Sequence, residues 1–89
     1  MSITILKFEA EWCVPCKVLA GRLEEAGDLN GATLRSVDIE QEPDLVEKFS
    51  VRSVPTLVFL DNAGEEFPNT RLNGLVPVSN IMAVVTSLS

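Results

Sequence analysis

The segments Ile3 to Phe8 (Ile-Thr-Ile-Leu-Lys-Phe) and Thr56 to Leu60 (Thr-Leu-Val-Phe-Leu) restrict the fold more than any other feature of the sequence. Both are short and nearly continuous in apolar or β-branched residues, without the alternation of a strand that has one wet face. Each therefore predicts a strand covered on both sides. Covering two faces of one sheet within 89 residues calls for helices packed from both directions. The chain offers three helical stretches. Val18, Leu19, Leu23 and Ala26 recur at helical spacing from Pro15 to a stop at Gly27. Pro43 opens a second stretch with Leu45 and Phe49 one turn apart, interrupted by Arg52-Ser53-Val54-Pro55. Pro77 starts a third, with Val78, Ile81, Val85 and Leu88 along one face. Leu34 to Ile39 alternates as a short strand. Asp61-Asn62-Ala63-Gly64 is turn chemistry, so Glu65 to Leu72 is expected to return antiparallel, as an edge or bulged strand because of Pro68 and Asn69.

The expected order is β-α-β-α-β-β-α, an α/β fold with a four-stranded mixed sheet covered by three helices. It forms a single domain over residues 1–89, with both early crossovers right-handed. Seven Lys plus Arg against thirteen Asp plus Glu give a net charge of -6, which argues against nucleic acid or anionic lipid as a partner. The absence of His removes the usual neutral-pH general base, the Ser/His/Asp triad and every imidazole metal site. No apolar run approaches the ~20 residues of a membrane helix. Met1-Ser2-Ile3-Thr4 lacks the basic flank of a signal peptide, so a cytoplasmic protein is expected.

The chemistry concentrates in Glu11-Trp12-Cys13-Val14-Pro15-Cys16-Lys17, which holds the only two cysteines, placed where the first strand ends and the first helix begins. A thiol at a helix N-terminus faces unpaired backbone N–H groups and the positive end of the helix dipole, and both favour thiolate. Cys13 is the expected nucleophile. Cys16, one turn on, is within reach to displace a mixed disulfide. A purely structural disulfide across so short a loop would add only about 2 kcal/mol, and a reducing compartment would open it. Two thiolates are half of a tetrahedral zinc set, and the chain has no third Cys and no His to complete it.

Ala10-Glu11-Trp12-Cys13-Val14-Pro15-Cys16-Lys17 resembles the active-site segment of the thioredoxin family, Ala-Glu-Trp-Cys-Gly-Pro-Cys-Lys, with Val14 replacing the glycine. Asp38-Ile39-Glu40-Gln41-Glu42-Pro43 is similar to the family's strand-to-helix junction. Val51-Arg52-Ser53-Val54-Pro55-Thr56-Leu57 resembles the segment that carries its cis-proline, and Asn73-Gly74 falls at its late glycine loop. The resemblance implies a thioredoxin-like fold and a cis Val54-Pro55 bond with Pro55 facing the cysteine pair. It also implies that the Val54 backbone pairs with a substrate chain as an added strand. Trp12, Val14, Pro15, Val54, Gly74 and Leu75 would form an apolar docking patch around an exposed Cys13 thiol.

Three departures qualify this resemblance. The chain begins at the strand that is second in full-length thioredoxins, which gives it glutaredoxin size and an uncovered sheet edge. Lys7 stands where thioredoxins bury an acid that shuttles the proton of the second cysteine. Near Cys16, Lys7 would favour thiolate by charge and raise the potential, or else would snorkel to solvent from its short strand. Val14 puts a β-branched side chain beside the site of partner approach, with altered partner choice expected.

The resulting expectation is a small thiol-disulfide oxidoreductase that uses a reversible Cys13-Cys16 disulfide, with no organic or metal cofactor. It would reduce disulfide-containing proteins such as ribonucleotide reductase and be restored by thioredoxin reductase or glutathione. The expected state is monomeric. A glutaredoxin-like, glutathione-dependent role is the alternative, although Lys17, Arg52 and Lys7 are the only nearby bases for glutathione's carboxylates. Other classes are a non-catalytic binding subunit that uses the same patch, and a metal or cluster carrier. The runs Glu24-Glu25 and Glu65-Glu66 read as solvated faces.

Overall fold

The computed structural model describes residues 2–89; Met1, part of the N-terminal motif read above, lies outside them. The elements are β1 (Thr4–Glu9), α1 (Val14–Ala26), β2 (Thr33–Asp38), α2 (Pro43–Lys48), β3 (Thr56–Leu60), β4 (Leu72–Asn73) and α3 (Val78–Leu88). They build one four-stranded mixed sheet in the order β2-β1-β3-β4, with β1 and β3 inside. These central strands are the two apolar segments, and the buried run of β3 leaves no wet face. The pleat sends alternate residues to opposite sides. Ile5, Leu57 and Phe59 join Leu19 and Leu23 of α1 and Ile81 and Val85 of α3 in one cluster. Leu6, Phe8, Val58 and Leu60 join Val37 and Phe49 in a second, on the side where Leu45 and Val46 of α2 pack. Phe8 and Phe49 meet edge to face with centroids 6.2 Å apart.

Three expectations are corrected here. β1 runs parallel to β2 but antiparallel to β3, so α1 alone spans a parallel crossover. The handedness rule applies to that one connection, and α2 simply reverses the chain. The return from the Asp61 turn is antiparallel, at the sheet edge and bulged at Pro68 and Asn69 as expected, but it is not one continuous strand. The turn closes through the Gly64 N–H to Asp61 O and the Asp61 N–H to Glu65 O. A single bridge then joins Leu60 to Glu66, and regular pairing resumes only at Leu72 and Asn73. Between them Pro68 has no N–H to give a ladder and Asn69 adopts φ 60°, so residues 68–70 leave the sheet as a bulge. Arg71 clamps that bulge through two hydrogen bonds to the Glu66 carboxylate, at 3.0 and 2.7 Å. Glu66 is thus an ion-pair partner and not only a solvated charge. The same bond raises the Arg71 pKa above its ordinary value, against a smaller opposing effect of burial.

Finally, the apolar stripe of α1 is Cys16, Leu19 and Leu23, while Val18 is 40% exposed and Ala26 faces solvent. The helix ends where Gly27 takes φ 71° and its N–H caps Leu23 O, a conformation that side chains with a Cβ resist.

Candidate active site

β1 ends at Glu9, and a turn closed by the Cys13 N–H to Ala10 O (3.1 Å) delivers the chain to α1. Cys13 is the N-cap residue, with extended backbone, and its Sγ accepts a hydrogen bond from the Cys16 N–H at 3.2 Å. Sulfur here does what a Ser or Asp oxygen usually does at a helix start. Pro15 fits the first turn because its missing N–H would have had no intrahelical partner. Cys13 and Cys16 are joined as a disulfide, with Cα atoms 5.2 Å apart.

On the opposite wall, Cys13 Sγ lies 3.7 Å from Val54 O, just before the cis Val54-Pro55 bond. Pro55 is fully buried, and its carbonyl accepts the Gly74 N–H at 2.8 Å. Gly74, at φ 81°, therefore ties the loop bearing Leu75 to the cis-proline segment. Thr56 Oγ1 donates to Ser53 O at 2.7 Å and fixes that segment from within. Trp12, Val14 and Leu75 stand exposed, at 65%, 67% and 40%. Contrary to the sequence expectation of an exposed sulfur, Cys13 in the disulfide is 4% and Cys16 3% accessible. Val18, four residues from Val14 and on the same helical face, extends the apolar surface along α1. The i,i+4 spacing of Val14 and Val18 was the signal for it.

Lys7 does not snorkel. It is 5% exposed, and its Nζ lies 3.1 Å from Glu9 Oε1, two residues along the same strand and hence on the same face of the sheet. The ammonium that was expected to act on Cys16 by charge is thereby offset by a carboxylate. Glu9 is a residue that the sequence reading missed. It lies opposite Asp38 in the β1–β2 register. With Cys16, Ala20 and Asp38 it walls a cavity of about 180 Å³, whose remaining lining is Ala10, Glu11 and Lys17. A second cavity, of about 160 Å³, opens on the α2 side among Trp12, Ile39, Val46 and residues 51–54.

The profile of the Thioredoxin family matches residues 1–87 of this chain. The thioredoxin of Staphylococcus saprophyticus subsp. saprophyticus is 38% identical over 85 residues, covering 93% of this chain and 79% of that protein. The thioredoxin of Chlamydia trachomatis serovar D is 41% identical over 64 residues, covering 71% and 63%. Among solved structures, a point mutant of a thioredoxin from Halobacterium salinarum NRC-1 superposes with a TM-score of 0.84 at 27% identity, over 96% of this chain and 73% of that one. Fasciola hepatica thioredoxin also gives 0.84 at 27% identity, over 99% and 82%.

Proposed function

The chain belongs to the thioredoxin family and is a thiol-disulfide oxidoreductase, and on that premise we propose that it reduces protein disulfides with Cys13 as nucleophile and Cys16 as resolving thiol. The observation that carries this assignment of roles is the hydrogen bond from the Cys16 N–H to Cys13 Sγ at the start of α1. A donor already aimed at that sulfur, together with the helix N-terminus, stabilises the thiolate of Cys13. The thiolate attacks a substrate disulfide, forming a Cys13 mixed disulfide and expelling one substrate thiolate. Cys16 then attacks Cys13 Sγ, the Cys13–Cys16 bond forms, and the second substrate thiolate leaves. The substrate disulfide gains two electrons and the dithiol loses them.

Because Cys13 is nearly buried between exposed apolar residues, a substrate must press against Trp12, Val14, Pro15 and Leu75 to reach it. The Val54 and Gly74 segments line the opposite wall, and the Val54 backbone is suited to pair with an extended substrate chain. Disulfide-bearing proteins, with ribonucleotide reductase as one candidate, fit such a surface, and thioredoxin reductase is the fitting reductant. A glutathione-dependent role is less favoured because Lys7 is occupied by Glu9, which leaves Lys17 and Arg52 for the tripeptide's carboxylates. No cofactor beyond the reversible disulfide is called for. The protein acts as a monomer in the cytoplasm. No helix among the described residues is long and apolar enough to cross a membrane. Redox titration in glutathione buffers, with a thioredoxin reductase assay on the same sample, tests the proposal. A two-electron transition with reductase turnover is expected. Reduction by glutathione alone would overturn the assignment of reductant.

A further inference from the structure

We propose that Glu9 accepts the proton of the Cys16 thiol in the resolving step, through water in the cavity they share, and that Lys7 is the positioning residue that holds Glu9 there. This rests on the dithiol chemistry above. Cys16 is 3% exposed in the disulfide, so a proton on its sulfur in the dithiol and mixed-disulfide states needs an exit before the sulfur can act as a nucleophile. The cavity of about 180 Å³ beside it provides one, and is roomy enough for bridging water. Three carboxylates and one ammonium border that space: Glu9 from β1, Glu11 from the turn, Asp38 from β2 and Lys17 from α1. Glu11 and Lys17 are exposed at the mouth. Asp38 spends Oδ1 on the Glu40 N–H at 2.8 Å. Glu9, with its side chain 30% exposed, is anchored from below by Lys7, whose own side chain is 6% exposed. A buried ammonium is costly, and here it is paired at 3.1 Å with a carboxylate whose residue lines the same cavity as Cys16.

The step balances. Water relays the Cys16 Sγ proton to the Glu9 carboxylate, the Cys16 thiolate attacks Cys13 Sγ, and the Cys13–substrate sulfur bond breaks. The departing substrate thiolate then takes a proton from Glu9 or from solvent.

The test uses reduced protein mixed with 5,5'-dithiobis(2-nitrobenzoate) by stopped flow, which reads two releases of thionitrobenzoate. The first is Cys13 attack and depends on reagent concentration; the second is intramolecular attack by Cys16. In Glu9→Gln the second phase is expected to slow roughly 100-fold near pH 6, with the deficit shrinking as hydroxide takes over at higher pH, while the first phase is kept. Lys7→Met/Glu9→Gln carries no unpaired buried ammonium and should show the same deficit if the single variant folds poorly. A wild-type second phase in the double variant, a deficit independent of pH, or an equal pH-dependent deficit in Asp38→Asn would overturn the proposal. Absence of the first phase in the wild type would instead overturn the dithiol reading on which it rests.

Discussion

Removing Glu9 should cost far more stability than removing Lys7, because the two ends of this ion pair are unequally buried. The Lys7 side chain is 6% exposed and that of Glu9 30%, with 3.1 Å between Nζ and Oε1. In Glu9→Ala the ammonium remains buried without its counter-charge, and breaking a buried pair from one side costs about 3 kcal/mol or more. In Lys7→Met the methionine retains most of the buried stem, and Glu9 can turn to water, so the expected cost is about 1 kcal/mol or less. Lys7→Met/Glu9→Ala should return to within about 1 kcal/mol of Lys7→Met, a coupling of roughly 2 kcal/mol. Against a total of roughly 4–13 kcal/mol for a domain of this size, the Glu9→Ala loss would lower Tm by roughly 12–24 °C. Glu9→Gln should fall between, since its amide oxygen can still accept from the ammonium. Urea unfolding followed by far-UV circular dichroism is the suitable assay, because Trp12, at 65% exposed, reports poorly on burial. Equal costs for the two single variants, or additive costs in the double, would refute the reasoning.

Cys16→Ser should accumulate a covalent Cys13 mixed disulfide with a protein substrate, visible by intact-mass spectrometry, whereas Cys13→Ser should form none. Trp12→Ala should lower kcat/KM for a protein disulfide by about tenfold, a loss of roughly 1.4 kcal/mol of docking energy. It should leave Tm and the rate with a small aromatic disulfide nearly unchanged. Phe8→Ala removes a fully buried ring packed edge to face on Phe49 and should cost about 3–5 kcal/mol in urea unfolding. Arg71→Gln should cost about 0.5 kcal/mol, with the difference fading at high salt, since the Glu66 pair is partly exposed.

What was legible in the sequence followed from strong local signals. β3 has no polar face to leave outside, so its apolar run alone required cover on both sides. α3 follows its 3-4-3 spacing, and the cysteine pair at a strand-to-helix junction announced an N-cap. The failures share another cause: each depended on how an element is oriented or turned in the folded chain, which residue types along the sequence do not encode. Strand direction across α2 is decided by which edge of β1 accepts β3, which no local pattern encodes. The break at Pro68 and Asn69 was legible as an edge or bulged strand, whereas the Glu66–Arg71 pair that closes the gap was not, because charges five residues apart meet only once the chain between them turns. Val18 looked like core because it is apolar at helical spacing, and only the orientation of α1 on the sheet turned it outward.

The Lys7–Glu9 pair was hidden by a single residue of boundary. A strand ending at Phe8 leaves Glu9 in a loop, with no defined face and no relation to Lys7. Ending at Glu9, the same strand puts both side chains on one side at i,i+2 and sets Glu9 opposite Asp38. That extension changes the chemistry of the site. A lone Lys7 near Cys16 argues for a stabilised thiolate at the second cysteine and a raised potential. Lys7 paired at 3.1 Å presents a nearly neutral unit, and the donor that acts directly on sulfur is the Cys16 N–H, directed at Cys13. The charge asymmetry between the two sulfurs thus favours the first cysteine, and the second depends on a carboxylate to ionise when its turn comes.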